Sequence, residues 1–257
     1  MTVAFYEDLG EGRFRSTPST TGAWDERFQH GGPPSALLGR AVERLAPRPD
    51  LMVARITVEI LGPIPVAELT VSAEVVRPGR SVELVHAALS HDGRDVARAQ
   101  AWRVRRSVGV TVLSRHQAAP PLPDTEAEVT AHGLGGYFTS LEWRWAAGGG
   151  LEAPGPSIAW ARMRAPLVED ESPSGLCRVL VLADSGSGAS SELPIEEWQF
   201  INPELTVHLH REAVGEWICL DATTTIQDGG VGLATSVLSD AQGPVGVGAQ
   251  SLLVNRW

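Results

Sequence analysis

NPELTVHLHREAVGEWICLDATTTIQDGGVGLATSVLSDAQGPVGVGAQSLLVNRW, residues 202–257, is a succession of β-type runs broken by turn clusters. Thr206 to Leu209 alternates at period two, Trp217 to Thr225 is rich in β-branched residues, and Val231 to Leu238 is joined to Val245 to Val254 across Asp240-Ala241-Gln242-Gly243. A turn cluster ending in glycine, which reaches positive φ freely, is a hairpin signal between two such runs. The stretch predicts a meander of long antiparallel strands.

The pattern occurs once before. Thr57-Val58 answers Thr206-Val207, Ser81-Val82 answers Gly230-Val231, and Leu89-Ser90 answers Leu238-Ser239, each at a separation of 149 residues. Ala99-Gln100 answers Ala249-Gln250 at 150, which places one inserted residue in the second hairpin turn, where insertions cost least. The chain reads as two copies of one unit.

Working outward, the 257 residues, 43% hydrophobic and 20% charged, are enough for one sizeable core or two fused smaller ones. The net charge is −10, and all 21 basic residues are arginine. That balance argues against a nucleic-acid partner, and the lack of lysine excludes Schiff-base and P-loop chemistry. There is no 18-residue apolar run to span a membrane, and the start MTVAFYEDLG is acidic, unlike a secretory signal. A cytoplasmic protein is expected. Cys177 and Cys219 sit in apolar settings and read as reduced core thiols, so neither a disulfide framework, a metal nor a cofactor is expected.

The first unit, residues 1–110, opens with a Phe/Tyr-bearing strand. His30-Gly31-Gly32-Pro33-Pro34-Ser35 then leads into a helix whose apolar Ala36, Leu37, Leu38, Ala41, Val42 and Leu45 cover more than one face, so it is enclosed on several sides. The prolines suit a first helical turn, and Pro47 follows its end. From Arg55 to Val104 strand runs alternate with Gly/Pro turns. Residues 111–130 hold a proline-rich tract that cannot continue a ladder, and read as a linker. The second unit, 131–257, begins with a hairpin of Glu142-Trp143-Arg144-Trp145 against Ile158 to Arg164, in which Trp143 and Trp145 look exposed. Pro173 to Asp184 would pass as a strand by its β-branched content. The repeat assigns it as a helix, because it holds the first helix's place before the meander.

A curved antiparallel sheet wrapped round one central helix, duplicated in tandem, is an α+β double hotdog. The sequence resembles the double-hotdog acyl-CoA thioesterases, the bacterial thioesterase II-like group, over nearly its whole length. The resemblance rests on His30-Gly31-Gly32, Arg77-Pro78-Gly79-Arg80-Ser81, Ala183-Asp184, Leu205 to Arg211, Glu216-Trp217 and Gln250 within AQSLLVNRW. It implies hydrolysis of acyl-CoA to free acid and coenzyme A by a chain that forms homo-oligomers. It also implies a catalytic trio, which falls on Asp184, Asn202 and Gln250. At the middle position the family's familiar bacterial enzymes carry threonine; asparagine can accept from a water and donate, but has no hydroxyl.

A thioester needs no strong nucleophile, so a water held by a carboxylate and two amides can suffice, with Asp184 taking the proton. Gly31 and Gly32, at a helix N-terminus beside His30, could offer N–H groups to the developing oxyanion. Arg77, Arg80, Arg105 and Arg106 are candidates for the coenzyme A phosphates. His30 could instead serve a dehydratase-like reaction, and a hotdog that binds acyl groups without hydrolysing them is the other alternative; the asparagine at 202 keeps both open.

Overall fold

The computed structural model describes residues 3–107, 109–110, 118–125, 135–148 and 153–257. Of the expected linker, residues 111–117 and 126–130 lie outside these, and 118–125 carry no helix or strand.

The first half contains β1 (Tyr6–Gly10), β2 (Arg13–Ser16), α1 (Gly32–Arg44), β3 (Leu51–Ile60), β4 (Glu68–Arg77), β5 (Val82–His91) and β6 (Arg94–Arg105). The second contains α2 (Gly136–Thr139), β7 (Leu141–Ala147), β8 (Ser157–Met163), α3 (Gly175–Ala183), α4 (Gly186–Ala189), β9 (Trp198–Ile201), β10 (Glu204–Leu209), β11 (Ile218–Gln227), β12 (Val231–Asp240) and β13 (Gly243–Arg256). Among the described residues the strands form one sheet, in the order β1-β2-β4-β5-β6-β3-β10-β13-β12-β11-β8-β7, with β9 also on β13. This is the tandem hotdog architecture: each half-sheet packs on its own long helix, α1 or α3.

The halves meet at β3 and β10, where Thr57 pairs with Thr206 and their hydroxyl oxygens lie 3.1 Å apart. These residues are 149 positions apart, so equivalent residues face one another and a pseudo-twofold axis passes between them. The same separation relates whole ladders. Thr70 opposite Ser90 becomes Cys219 opposite Ser239, and Leu89 opposite Ala97 becomes Leu238 opposite Gly246, with the hairpin bulge in the same place.

The expected insertion in the second hairpin is therefore absent. Val85 opposite Ala101 becomes Ala234 opposite Gln250, so Gln250 is the counterpart of Ala101 and Ala249 that of Gln100. The shared Ala-Gln dipeptide draws the sequence alignment one residue out of register, and in a strand one residue is a change of face. Gln100 is exposed on the outer face, whereas Ala101 and Gln250 are buried against the helices.

Residues 175–183 are helical, as the repeat requires. Ser174 caps the helix, its hydroxyl accepting from the Cys177 N–H at 3.1 Å, and Val179 to Ala183 are buried without a break. Apart from Arg178 the helix is apolar all round, and such a helix belongs in an interior. It runs antiparallel to α1 at close range: a Cβ at Gly39 would stand 2.5 Å from Leu180 Cδ1, and one at Gly32 2.2 Å from the Val181 carbonyl oxygen. Glycine permits that approach. The start of α1 thus meets the end of α3. Trp143 is not exposed but 2% accessible, its indole N–H donating to the Phe138 carbonyl at 3.1 Å and its ring 5.8 Å from that of Trp145.

Candidate active site

The site lies where α1 begins and α3 ends. Asp184 follows the last residue of α3 and is 6% accessible. Its Oδ1 accepts from Asn202 Nδ2 at 2.8 Å and from Gln250 Nε2 at 3.2 Å; Gln250 Nε2 also reaches the Asp184 carbonyl at 3.0 Å. Gln250 Oε1 accepts from the Ser187 N–H at 3.1 Å, so both ends of this amide are fixed. The three expected residues converge, and two amides occupy one carboxylate oxygen while Oδ2 faces away from them.

Asn202 owes its place to a bend. β9 and β10 both pair with β13, but the register slips by one residue across Asn202-Pro203: Ile201 opposes Leu253, and Thr206 opposes Ala249. The bend is a β-bulge that re-aims a side chain, at a proline with no N–H to give a ladder. The second Asn202 amide proton goes to the Glu204 carbonyl at 3.3 Å, which leaves Oδ1 as the acceptor it can offer a ligand.

On the other side is His30. Its Nδ1 is 3.1 Å from the Gly32 nitrogen and 3.2 Å from Asp184 Oδ2. One ring nitrogen cannot accept from the first and donate to the second. Burial lowers the His30 pKa and the Asp184 charge raises it by less, so the neutral ring, accepting from Gly32, is the resting form. The imidazole stacks on Tyr137, ring centroids 3.7 Å apart, with Phe138 edge-on at 5.7 Å. The Tyr137 hydroxyl donates to the Val181 carbonyl at 2.8 Å, so at 2.7 Å Ser185 Oγ is its donor.

The α1 start is short of free donors. Pro33 and Pro34 have no N–H, Gly32 is spent on His30, and the Ser35 N–H returns to Gly31 O at 3.1 Å. Gly31 therefore holds the remaining N–H of that turn, and a Cβ there would lie 2.7 Å from Asp184 Oδ2.

A cavity of about 560 Å³ opens from Asp184, His30, Gly31 and Asn202; Trp24, Phe28, Ile60, Ile64, Phe138 and Phe200 give it apolar walls. Gln250 and Gly32 do not line it. Neither does any arginine among the described residues. Arg105 pairs with Leu51 at the far end of β3, Arg106 N–H donates to Asp50 O, and Arg48 ties the Gly79-Arg80 turn to that same end. With β3 ten residues long, these lie about 30 Å from the Ile60 end that borders the cavity. Cys177 and Cys219 are buried, and burial pushes both thiols up to about 12, so neither is an activated nucleophile.

The family model for the acyl-CoA thioesterase C-terminal domain matches residues 115–254, and that for the N-terminal domain matches 20–104. The chain belongs to the acyl-CoA thioesterase family. It is accordingly a thioester hydrolase. A hot dog fold protein of unknown function from Alicyclobacillus acidocaldarius is similar over 97% of this chain and 95% of its own, at 16% identity and TM-score 0.73. A putative thioesterase from Novosphingobium aromaticivorans gives 20% identity, 97% and 98% coverage and TM-score 0.71. An acyl-CoA thioesterase II from Mycobacterium marinum gives 18%, 98% and 95%, and 0.69. At these identities the likeness is one of fold. No curated protein matches the sequence.

Sequence reasoning missed Tyr137 and the 184–203 excursion that carries α4 and β9. The available signal was Gly135-Gly136-Tyr137-Phe138, an aromatic pair behind a glycine pair.

Proposed function

We propose that this thioesterase hydrolyses fatty acyl-CoA with a water activated by Asp184. The observation that carries the reading is the division of labour on the carboxylate. Asn202 and Gln250 hold Oδ1, leaving Oδ2 as the basic oxygen beside the cavity. A water donating to Asp184 Oδ2 and Asn202 Oδ1 would aim its lone pair at the thioester carbon. As it attacks, the proton passes to Oδ2, while the neutral His30 ring stays fixed beside it by the Gly32 N–H and the Tyr137 stack. His30 and Gln250 are thus positioning residues, and Asp184 and Asn202 catalytic ones. The Gly31 N–H, at the positive end of α1, is the donor for the developing oxyanion, and the thiolate of coenzyme A leaves when the tetrahedral intermediate collapses. The apolar walls suit an acyl chain.

The reading includes a chain divided as 1–110 and 131–257 around a linker; the family matches, 20–104 and 115–254, support two units, the second match beginning within the expected linker. It includes homo-oligomers as well, supported by an apolar outer face on the second half where Val231, Leu233, Val237, Val247 and Leu253 are exposed. The test is free-thiol release from a series of acyl-CoA esters, followed by single-turnover hydrolysis and binding titration of Asp184→Asn. A folded Asp184→Asn enzyme that hydrolyses at the wild-type rate would remove Asp184 from the mechanism. No release from any acyl-CoA would exclude this substrate class.

A further inference from the structure

The pseudo-twofold axis assigns the active site a counterpart. Residues 60–63, Ile-Leu-Gly-Pro, border the acyl cavity; their equivalents 209–212 are Leu-His-Arg-Glu and border a separate groove of about 520 Å³. Ile201 and Pro203 line the first, and their equivalents Met52 and Ala54 line the second. The groove is therefore the duplicated unit's version of the cavity mouth, at the other end of the molecule. In the second half the long excursion after α3 folds over the cavity, while in the first only six residues, 45–50, separate α1 from β3, and the groove stays open.

Its chemistry has diverged. The equivalents of Asn202 and Gln250 are Val53 and Ala101, both buried, so no water-activating amides remain. Its rim is instead cationic. The Arg105 side chain is exposed and makes no hydrogen bond or ion pair among the described residues. Among the described residues the Arg106 side chain holds an exposed pair with Glu212, a partner that a phosphate can displace. Arg211 is by contrast committed, both terminal nitrogens reaching Asp240 at 2.6 Å, and serves as a wall. Met52, Ala54, Val104 and Leu209 supply an apolar floor beside the two arginines.

We propose that this groove is a second ligand site for a nucleotide-sized organic phosphate, with the base and sugar against Met52, Ala54 and Leu209 and the phosphates on Arg105 and Arg106. Arginine suits the task because its planar fork meets phosphate oxygens in pairs. Nothing here depends on which thioester the cavity hydrolyses.

Calorimetric titration of the full chain with adenosine 5′-diphosphate tests it, with inorganic pyrophosphate as the second probe. Saturable binding of one equivalent of the nucleotide is expected, at least about tenfold weaker in the Arg105→Ala/Arg106→Ala double variant, each lost charged hydrogen bond being worth about that much. Arg105→Lys/Arg106→Lys should fall between. Pyrophosphate should bind about tenfold more weakly than the nucleotide, because it leaves the apolar floor uncovered. Circular dichroism on these exposed substitutions checks that the fold is kept. The proposal is overturned if no saturable binding occurs at millimolar nucleotide, if the double alanine variant binds as wild type does, or if pyrophosphate binds equally well. Displacement of the nucleotide by a non-hydrolysable acyl-pantetheine thioether, which carries no phosphate, would place it in the acyl cavity and overturn the proposal too.

Discussion

The two halves share a backbone and differ in what hangs on it. The slip that bends the chain at Asn202 occurs at the equivalent point of β3, where Val53 opposes Arg103 and Arg55 opposes Trp102. One bend presents an amide to a carboxylate, and the other a valine to the core. At both ends of the helix pair a carboxyl group meets the start of a helix. Asp184 lies against Gly31 and borders the cavity of about 560 Å³; Glu43 receives the Ser174 hydroxyl at 2.6 Å, is partly exposed and borders a pocket of only about 80 Å³. Burial raises the Glu43 pKa and the Ser174 hydrogen bond opposes that. Duplication thus preserved geometry, and chemistry followed the side chains at a handful of matched positions.

The sharpest way to break this comparison is to neutralise both carboxyls in turn. Asp184→Asn should lower single-turnover hydrolysis about 10²- to 10⁴-fold, the usual loss of a general base, with acyl-CoA binding largely kept. Glu43→Gln should leave the rate within about twofold. A Glu43→Gln enzyme as damaged as Asp184→Asn would mean that the two ends are not chemically distinct.

Exchanging the matched strand positions comes next. Gln250→Ala should cost about tenfold to a hundredfold in rate by loosening Asp184, and combined with Asp184→Asn it should cost less than the product. Ala101→Gln should give no new activity; it buries an amide among Leu and Val side chains, and urea unfolding should show a loss of about 1–3 kcal/mol. A stable Ala101→Gln protein would show that the first half can also house the amide.

The outer faces give a third contrast. Val237 and Val247 oppose each other on the second half, where the first has Ala88 and Arg98. Val237→Glu/Val247→Glu should shift the mass by light scattering toward the single chain, whereas Ala88→Glu should not. An unchanged mass in the double variant would move the interface elsewhere.

The smallest effect concerns His30. Its folded pKa lies below the ordinary 6.5, so the unfolded chain binds its proton first as pH falls. Stability contributed by the neutral ring is complete above 6.5 and is lost as pH drops from there through the folded value. His30→Gln should flatten that acid slope in thermal unfolding; equal slopes would show that protonation of His30 is not coupled to unfolding.

Much of this architecture is legible in the amino-acid sequence. Runs at a constant separation announce the duplication, and the repeat overrules β-branched content to make residues 175–183 a helix. Asp184, Asn202 and Gln250 are reached through family resemblance. The register of Gln250 is not legible, because Ala-Gln recurs by coincidence one position out and only the ladder shows which residue turns inward. Trp143 misleads for a related reason: alternation marks two faces, but Phe138 and Trp145 cover the one that looks free. The four arginines stand out as a group, yet sequence does not say which end of a strand borders a cavity, and they lie at the opposite one.

The glycines between the helices act as a ruler. Gly39 is eight residues from Gly31, about 12 Å along the helix, and touches nothing in the cavity. A methyl group there would meet the end of the Leu180 side chain, which can turn aside. One at Gly32 would meet the Val181 carbonyl, backbone that has to give way, and Asp184 rides on the end of that helix, so a change at a residue that does not line the cavity would register in assays as a lesion in the chemistry.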